Sequence, residues 1–152
     1  MSSGFLPDKH WRKNMEIKAI KFEELDPVVD DILMSHIEEK TGLSVEEKRK
    51  FAFALVVDEK IIGGITAKMN FNRCHITGLG IKKEFRSGGY GKALLEKAEK
   101  TAIEIGAKLI TLSTQDFQAR EFYEKLGYTV FGTLVDCPFD GTTKYYMSKR
   151  VD

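Results

Sequence analysis

Apolar and polar positions first alternate over Met15–Lys21, with Met15, Ile17 and Ala19 set against Glu16 and Lys18, which predicts a strand. The period then lengthens. Val29, Leu33 and Ile37 recur every four residues, so Asp26–Lys40 is predicted as a helix, with Pro27 near its first turn and Gly42 just past its end. Ser44 and Glu47 have capping-box spacing, and a short second helix is expected to follow. Phe51–Val57 and Ile61–Phe71 flank Asp58–Lys60 and read as a hairpin. Its second strand puts Ile61, Ile65, Ala67, Met69 and Phe71 on one face.

Cys74–Ile81 breaks its own period. Cys74 and Ile76 are apolar at even positions, Leu79 and Ile81 at odd ones. A strand of strict period two cannot hold both pairs on one face. An inserted residue reconciles them, so a β-bulge is predicted at Thr77-Gly78. The competing reading is that both faces are buried and the phase carries no information.

Leu94, Ala98, Ala102 and Ile105 lie on one helical stripe that opens at Gly89 and ends at Gly106. Lys108–Ser113 reads as a strand. Ala119, Phe122, Tyr123 and Leu126 follow the helical spacing i, i+3, i+4, i+7, with Gly127 as the cap. Tyr128–Val135 and Thr142–Ser148 are final strands joined by a loop through Pro138 and Gly141. About seven strands and about four helices, with hairpins and crossovers interleaved, predict an α/β chain of the α+β kind with a mixed sheet.

Composition narrows the function classes. The chain has 152 residues, the size of one domain, and is 42% apolar and 31% charged, as folded domains are. Its net charge of +1 asks for neither nucleic acid nor an anionic membrane. The longest apolar run, Phe51–Val57, is far too short to span a bilayer. Residues 1–14 lack the apolar core of a secretory signal and read as a flexible arm or an expression remnant before a domain over 15–152. Cys74 and Cys137 have no zinc spacing and read as reduced thiols of a cytoplasmic protein, with no metal expected.

The candidate chemistry lies in the run from Ile81 to Lys92. Gly88, Gly89 and Gly91 open a helix, where the first N–H groups lack intrahelical partners and the dipole favours an anion. Arg86 and Lys92 add positive charge, so the turn reads as a phosphate cradle. Spacing separates the options. A Walker A motif fails because Ala93 follows Lys92 and Arg86 stands where its first Gly belongs. A dinucleotide GxGxxG fails because Leu94 takes the third Gly position. Arg-x-x-Gly-x-Gly, at Arg86, Gly89 and Gly91, fits.

With these residues the chain resembles the GNAT N-acetyltransferase superfamily. Leu79, Gly80 and Ile81, followed by Arg86 to Leu95, look like its acetyl-CoA motif, and Ala119, Phe122, Tyr123, Gly127 and Tyr128 look like its second motif. The element order from Met15 onward is similar too. The resemblance implies a mostly antiparallel sheet splayed between its fourth and fifth strands. It implies that the pyrophosphate of acetyl-CoA rests on Arg86, Ser87, Gly88, Gly89, Tyr90, Gly91 and Lys92, and that the pantetheine arm pairs with Leu79, Gly80 and Ile81. One departure is Asp116, where many members carry Asn seven residues before the motif Tyr.

The resemblance also gives Tyr123 a role as general acid toward the departing thiolate. Helical spacing alone would make Tyr123 part of a core stripe. His75 lies on the strand leading to the cofactor and reads either as a base acting through water or as a half-exposed strand histidine. Phe22–Glu39 holds seven acids and no Lys or Arg, and Asp136 and Asp140 sit in the last loop. These acids suit a cationic amine acceptor or are simply a solvated face. The expected activity is transfer of acetyl from acetyl-CoA to a primary amine of a small molecule or peptide in a ternary complex, without a membrane or nucleic-acid partner and compatible with a homodimer. The alternative is a catalytically silent acyl-CoA-binding sensor.

Overall fold

The computed structural model describes residues 15–43, 49–117 and 119–152. The chain divides into two units, Met1–Val45 and Glu46–Asp152. The first contains helix α1, Phe22–Thr41. It begins earlier than its apolar period suggests, because the N–H groups of Glu24 and Leu25 already bond the Lys21 carbonyl and Glu23 and Glu24 suit a helix N-terminus. Pro27 therefore lies inside the helix rather than in its first turn. Gly42 ends it at φ +70°, donating its N–H to Glu38 O. Met15–Lys21 is not a strand: no ladder forms on it among the described residues. Alternation defines a face, but a strand also needs a partner for its N–H and C=O groups. Residues 1–14, expected to be an arm or a remnant, and the short helix expected from Ser44 lie outside the described residues.

The second unit is built on a six-stranded mixed sheet: β1 Lys50–Val57, β2 Lys60–Asn70, β3 Arg73–Ile81, β4 Leu109–Gln115, β5 Thr129–Val135 and β6 Thr143–Arg150, in the order β1-β2-β3-β4-β6-β5. All pairings are antiparallel except β3 with β4. Asp58 and Glu59, both at positive φ, make the two-residue β1–β2 turn. A 3-10 turn, Lys83–Phe85, leads from β3 toward helix α2, Tyr90–Glu104, and helix α3, Arg120–Lys125, links β4 to β5.

Leu94, Leu95, Ala98 and Ala102 of α2 are buried with Ile65, Ala67 and Met69 of β2, Cys74 and Ile76 of β3, and Ile110 and Leu112 of β4. Burying a leucine contributes about 1.5–3 kcal/mol, so this helix face is a main support of the sheet. No helix among the described residues is long and apolar enough to cross a membrane.

The predicted bulge is present. Thr66 pairs with Gly78 and Ala67 with Ile76, so Thr77 is the extra residue, its hydroxyl 2.7 Å from that of Thr66. Cys74 and Ile76 before it and Leu79 and Ile81 after it all pack on the core. The splay is present as well. β3 and β4 pair only from Arg73↔Leu109 to His75↔Thr111, although both strands run on.

Candidate active site

Beyond His75, the β4-facing edge of β3 has no strand partner among the described residues. Lys82 N–H donates to Ile62 O on the β2 side, so Ile81, one residue back, turns its own N–H and C=O toward the opening. Arg86 Nε donates to Ile81 O at 3.0 Å and ties the glycine turn to the strand end. Ser87 and Gly89 both adopt left-handed backbone, at φ +69° and +78°. Gly89 is the N-cap of α2 and offers no side-chain cap. The first intrahelical bond there is Ala93 N–H to Gly89 O, so the N–H groups at the start of the helix have no intrahelical acceptor, an arrangement that suits an anion.

A cavity of about 450 Å³ joins these parts. Of the residues expected in the site, Leu79, Gly80, Ile81, Arg86, Ser87, Gly89, Tyr90, Gly91, Lys92 and Tyr123 line it. Gly88 belongs to the turn but does not line the cavity; a Cβ there would strike the Tyr90 ring at 2.6 Å. Phe85, Ala119 and Phe122 complete the wall. Phe122 is legible in the sequence as a position of the α3 core stripe and of the second motif, but not as a wall of the cavity. Phe85 carried no sequence signal, because the 3-10 turn that places it has no period to read.

Tyr123 is buried apart from its approach to the cavity, and burial pushes its phenol pKa up. It holds its proton at neutral pH. His75 stands elsewhere. It does not line the cavity, and it sits at the last β3–β4 pair, where the strands part, on the sheet face opposite buried Cys74 and Ile76. Its Nδ1 lies 2.8 Å from Thr111 Oγ1. Burial first, then the charges of Arg73, Lys68 and Lys144, lower its pKa, so the imidazole is neutral at pH 7. Sequence reasoning placed His75 on the strand leading to the cofactor; the structure does not bring it together with Tyr123 in one cavity.

Asp116 has a definite place. Its N–H donates to Thr143 O and its Oδ2 accepts from Thr143 N–H, locking the end of β4 to the start of β6. In the last loop, Asp136 accepts from Gly141 N–H and holds the turn, while Phe139 is exposed. No cluster of metal-ligating side chains occurs among the described residues.

The glycines test whether this site suits a bound cofactor. A Cβ at Gly63 would meet Gly80 O at 2.8 Å, so packing of the chain itself demands that glycine. A Cβ at Gly80 or Gly89 would meet nothing within 4 Å. Gly80 also lines the cavity without needing a left-handed φ, so its missing side chain leaves room for something outside the chain. An anion-seeking turn, an open strand edge and an apolar wall together fit a long ligand with a phosphate end and a strand-like arm.

Comparison with known proteins decides the family. The family model described as Acetyltransferase (GNAT) family matches residues 11–128. The chain belongs to the GNAT family of acetyltransferases. It is 29% identical over 93 residues to the blasticidin-S acetyltransferase of Streptomyces morookaense, a match spanning 60% of this chain and 68% of that protein. A crystal structure of an acetyltransferase from Bacillus cereus ATCC 14579 superposes with a TM-score of 0.80 at 30% identity, covering 91% of this chain and 99% of that one. A Bacillus anthracis str. Ames protein in complex with acetyl coenzyme A, provisionally assigned as a streptothricin acetyltransferase, gives a TM-score of 0.61 at 26% identity over 71% of this chain and 66% of its own. The fold class is the one expected of a GNAT enzyme, with six strands and three α-helices among the described residues where about seven and about four are expected.

Proposed function

We propose that this GNAT enzyme transfers the acetyl group of acetyl-CoA to a primary amine by direct attack in a ternary complex. The observation that carries the reading is a single cavity lined by the glycine turn, the unpaired edge of β3 and Tyr123. The turn from Arg86 to Lys92 would hold the pyrophosphate through backbone N–H groups, with Arg86 and Lys92 adding charge. Leu79, Gly80 and Ile81 would receive the pantetheine arm along the open edge. When bound, acetyl-CoA supplies a thioester whose acetyl carbon is attacked by the amine and whose sulfur leaves as a thiolate.

The chain's own groups then manage protons. Tyr123 gives its phenolic proton to the departing sulfur as the C–S bond breaks. The amine loses a proton as the C–N bond forms, and neutral His75 takes it through a water or it passes to solvent. Lys68, Arg73 and Lys144 around His75 keep that face positive, which favours an acceptor entering as the free amine. Any further positive charge on the acceptor lies away from the reacting nitrogen. Asp136 and Asp140 of the last loop favour such a distal charge. A small-molecule acceptor is in keeping with relatives named for blasticidin-S and streptothricin.

The test is release of free CoA thiol from acetyl-CoA across a panel of amines. Polyamines and amino sugars should turn over faster than neutral or acidic amines, with a KM that rises with salt. Preference for an amino-acid α-amine without a salt effect would remove the cationic acceptor. Tight acetyl-CoA binding with no amine-dependent release would leave the silent sensor as the better reading.

A further inference from the structure

α3 has six residues and no side-chain cap at its start, too little to hold its own shape. Tyr123 sits in its middle. A donor anchored by its phosphates presents its sulfur at a distance fixed by the length of its own arm, so an acid on α3 must be held at a fixed distance from the glycine turn. A run of contacts does this. Tyr128 N–H donates to Tyr123 O at 3.1 Å, and the two rings meet edge-on with centroids 5.9 Å apart. Tyr128 is 1% exposed, and its phenol donates to Glu99 Oε1 at 2.9 Å. The other Glu99 oxygen accepts from Lys149 Nζ at 2.9 Å. Glu99 belongs to α2, the helix that opens at the glycine turn, eight residues or about 12 Å along the axis from Gly91.

We propose that Glu99 and Tyr128, braced by Lys149, are positioning residues that register Tyr123 on α2 and so fix its distance from the phosphate cradle. The inference rests on Tyr123 being the general acid. Tyr128 is not a second acid. It does not line the cavity, and burial with the Glu99 charge raises its pKa, so its proton stays on the bond to Glu99. Packing alone would be served as well by Phe at position 128 and an apolar residue at 99. A largely covered ion pair is weak evidence for stability, but it does define a geometry.

Kinetics of Tyr128→Phe in the full chain test this. The ring is kept and the anchor lost, so kcat should fall about tenfold, as small misplacements of a reacting group cost. The KM for acetyl-CoA should stay unchanged, and the deficit should shrink as pH rises. In a Tyr123→Phe background the same change should cost nothing further, because nothing remains to be positioned. Glu99→Gln, which still offers Tyr128 an acceptor, should keep most of kcat where Glu99→Ala loses it, and this pair carries the test if Tyr128→Phe folds poorly. Full kcat in Tyr128→Phe, a loss that multiplies with that of Tyr123→Phe, or equal loss in Glu99→Gln and Glu99→Ala at native stability would overturn the proposal. Full kcat in Tyr123→Phe alone would instead remove the acid itself.

Discussion

The two halves of β3 are put to different uses. From Arg73 to His75 the strand has a neighbour on each side, β2 and β4; from Leu79 to Ile81 it has β2 alone. Thr77, the bulged residue, lies between them. In the first half the chain supplies its own partners: Cys74 is fully buried, and His75 is tied to Thr111. In the second half the chain leaves things unfinished, with an edge unpaired and a glycine, Gly80, that no neighbour requires. Function is to be sought where the chain's own packing stops accounting for the residues present.

The largest expected effect lies at the unfinished end. Gly89→Asp or Gly91→Asp would put a carboxylate where phosphate is to bind, at a helix start that favours a single anion. Acetyl-CoA affinity measured by calorimetry should drop by at least about 100-fold, since several backbone bonds and the local field are lost together. Gly106→Asp is the control: it also replaces a left-handed glycine, at the far end of the same helix, and should leave the affinity alone. Unchanged binding by Gly89→Asp would detach the turn from the cofactor.

The second test sets two glycines against each other across β2 and β3. Gly63→Ala drives a Cβ to 2.8 Å from Gly80 O and should cost about 1–3 kcal/mol of stability, as overpacking does. Gly80→Ala meets nothing in the chain, so its stability should hold while acetyl-CoA binding weakens. Urea unfolding and calorimetry on both variants separate the effects. If Gly80→Ala destabilises without altering binding, the cofactor does not approach that strand.

How much of this could be read before the structure depends on how far apart the partners lie in sequence. The glycine turn was legible because its donors, charges and spacing are contiguous from Arg86 to Lys92. The bulge was legible because a phase change within Cys74–Ile81 is a local event. Met15–Lys21 shows the same kind of alternation and yet is no strand, because a periodic segment says nothing about its partner. His75 and Tyr123 each carried a role, but whether they face one cavity depends on the sheet face and on the point where two strands part. Glu99, Tyr128 and Lys149 gave no sign of meeting, being 29 and 50 residues apart from Glu99 onward. Asp116 looked like a departure and proved to be a clasp on Thr143, a bond that a side-chain oxygen of Asn could also accept.

A smaller effect belongs to the closed half. His75 has its pKa lowered from an ordinary 6.5, by burial and then by Arg73, Lys68 and Lys144. The unfolded chain therefore takes up a proton at a pH where the folded chain does not. The stability tied to neutral His75 is present above about pH 6.5 and is lost as pH falls through the folded value. Urea unfolding at pH 7.5 and 5.5 should show the wild type losing stability on acidification, and His75→Gln losing less. Parallel losses in the two proteins would mean that His75 is no more shielded than in the unfolded chain.

The smallest effect returns to the open half and has two opposed parts. Ser87 holds φ +69°, a conformation that costs a residue with a Cβ about 1–2 kcal/mol and glycine little. Ser87→Gly removes that strain but gives the unfolded chain more freedom, which takes back about 0.4–1 kcal/mol. The net gain should lie between nil and about 1.6 kcal/mol, or a rise of a few degrees at most in Tm. Ser87 also lines the cavity, and its hydroxyl is a donor that a phosphate could use. The same variant should therefore bind acetyl-CoA slightly less well while unfolding slightly later. A rise in Tm with unchanged affinity would mean that the backbone alone makes the cradle at this position. A fall in Tm would mean that the Ser87 side chain secures the turn more strongly than its strained φ disfavours it.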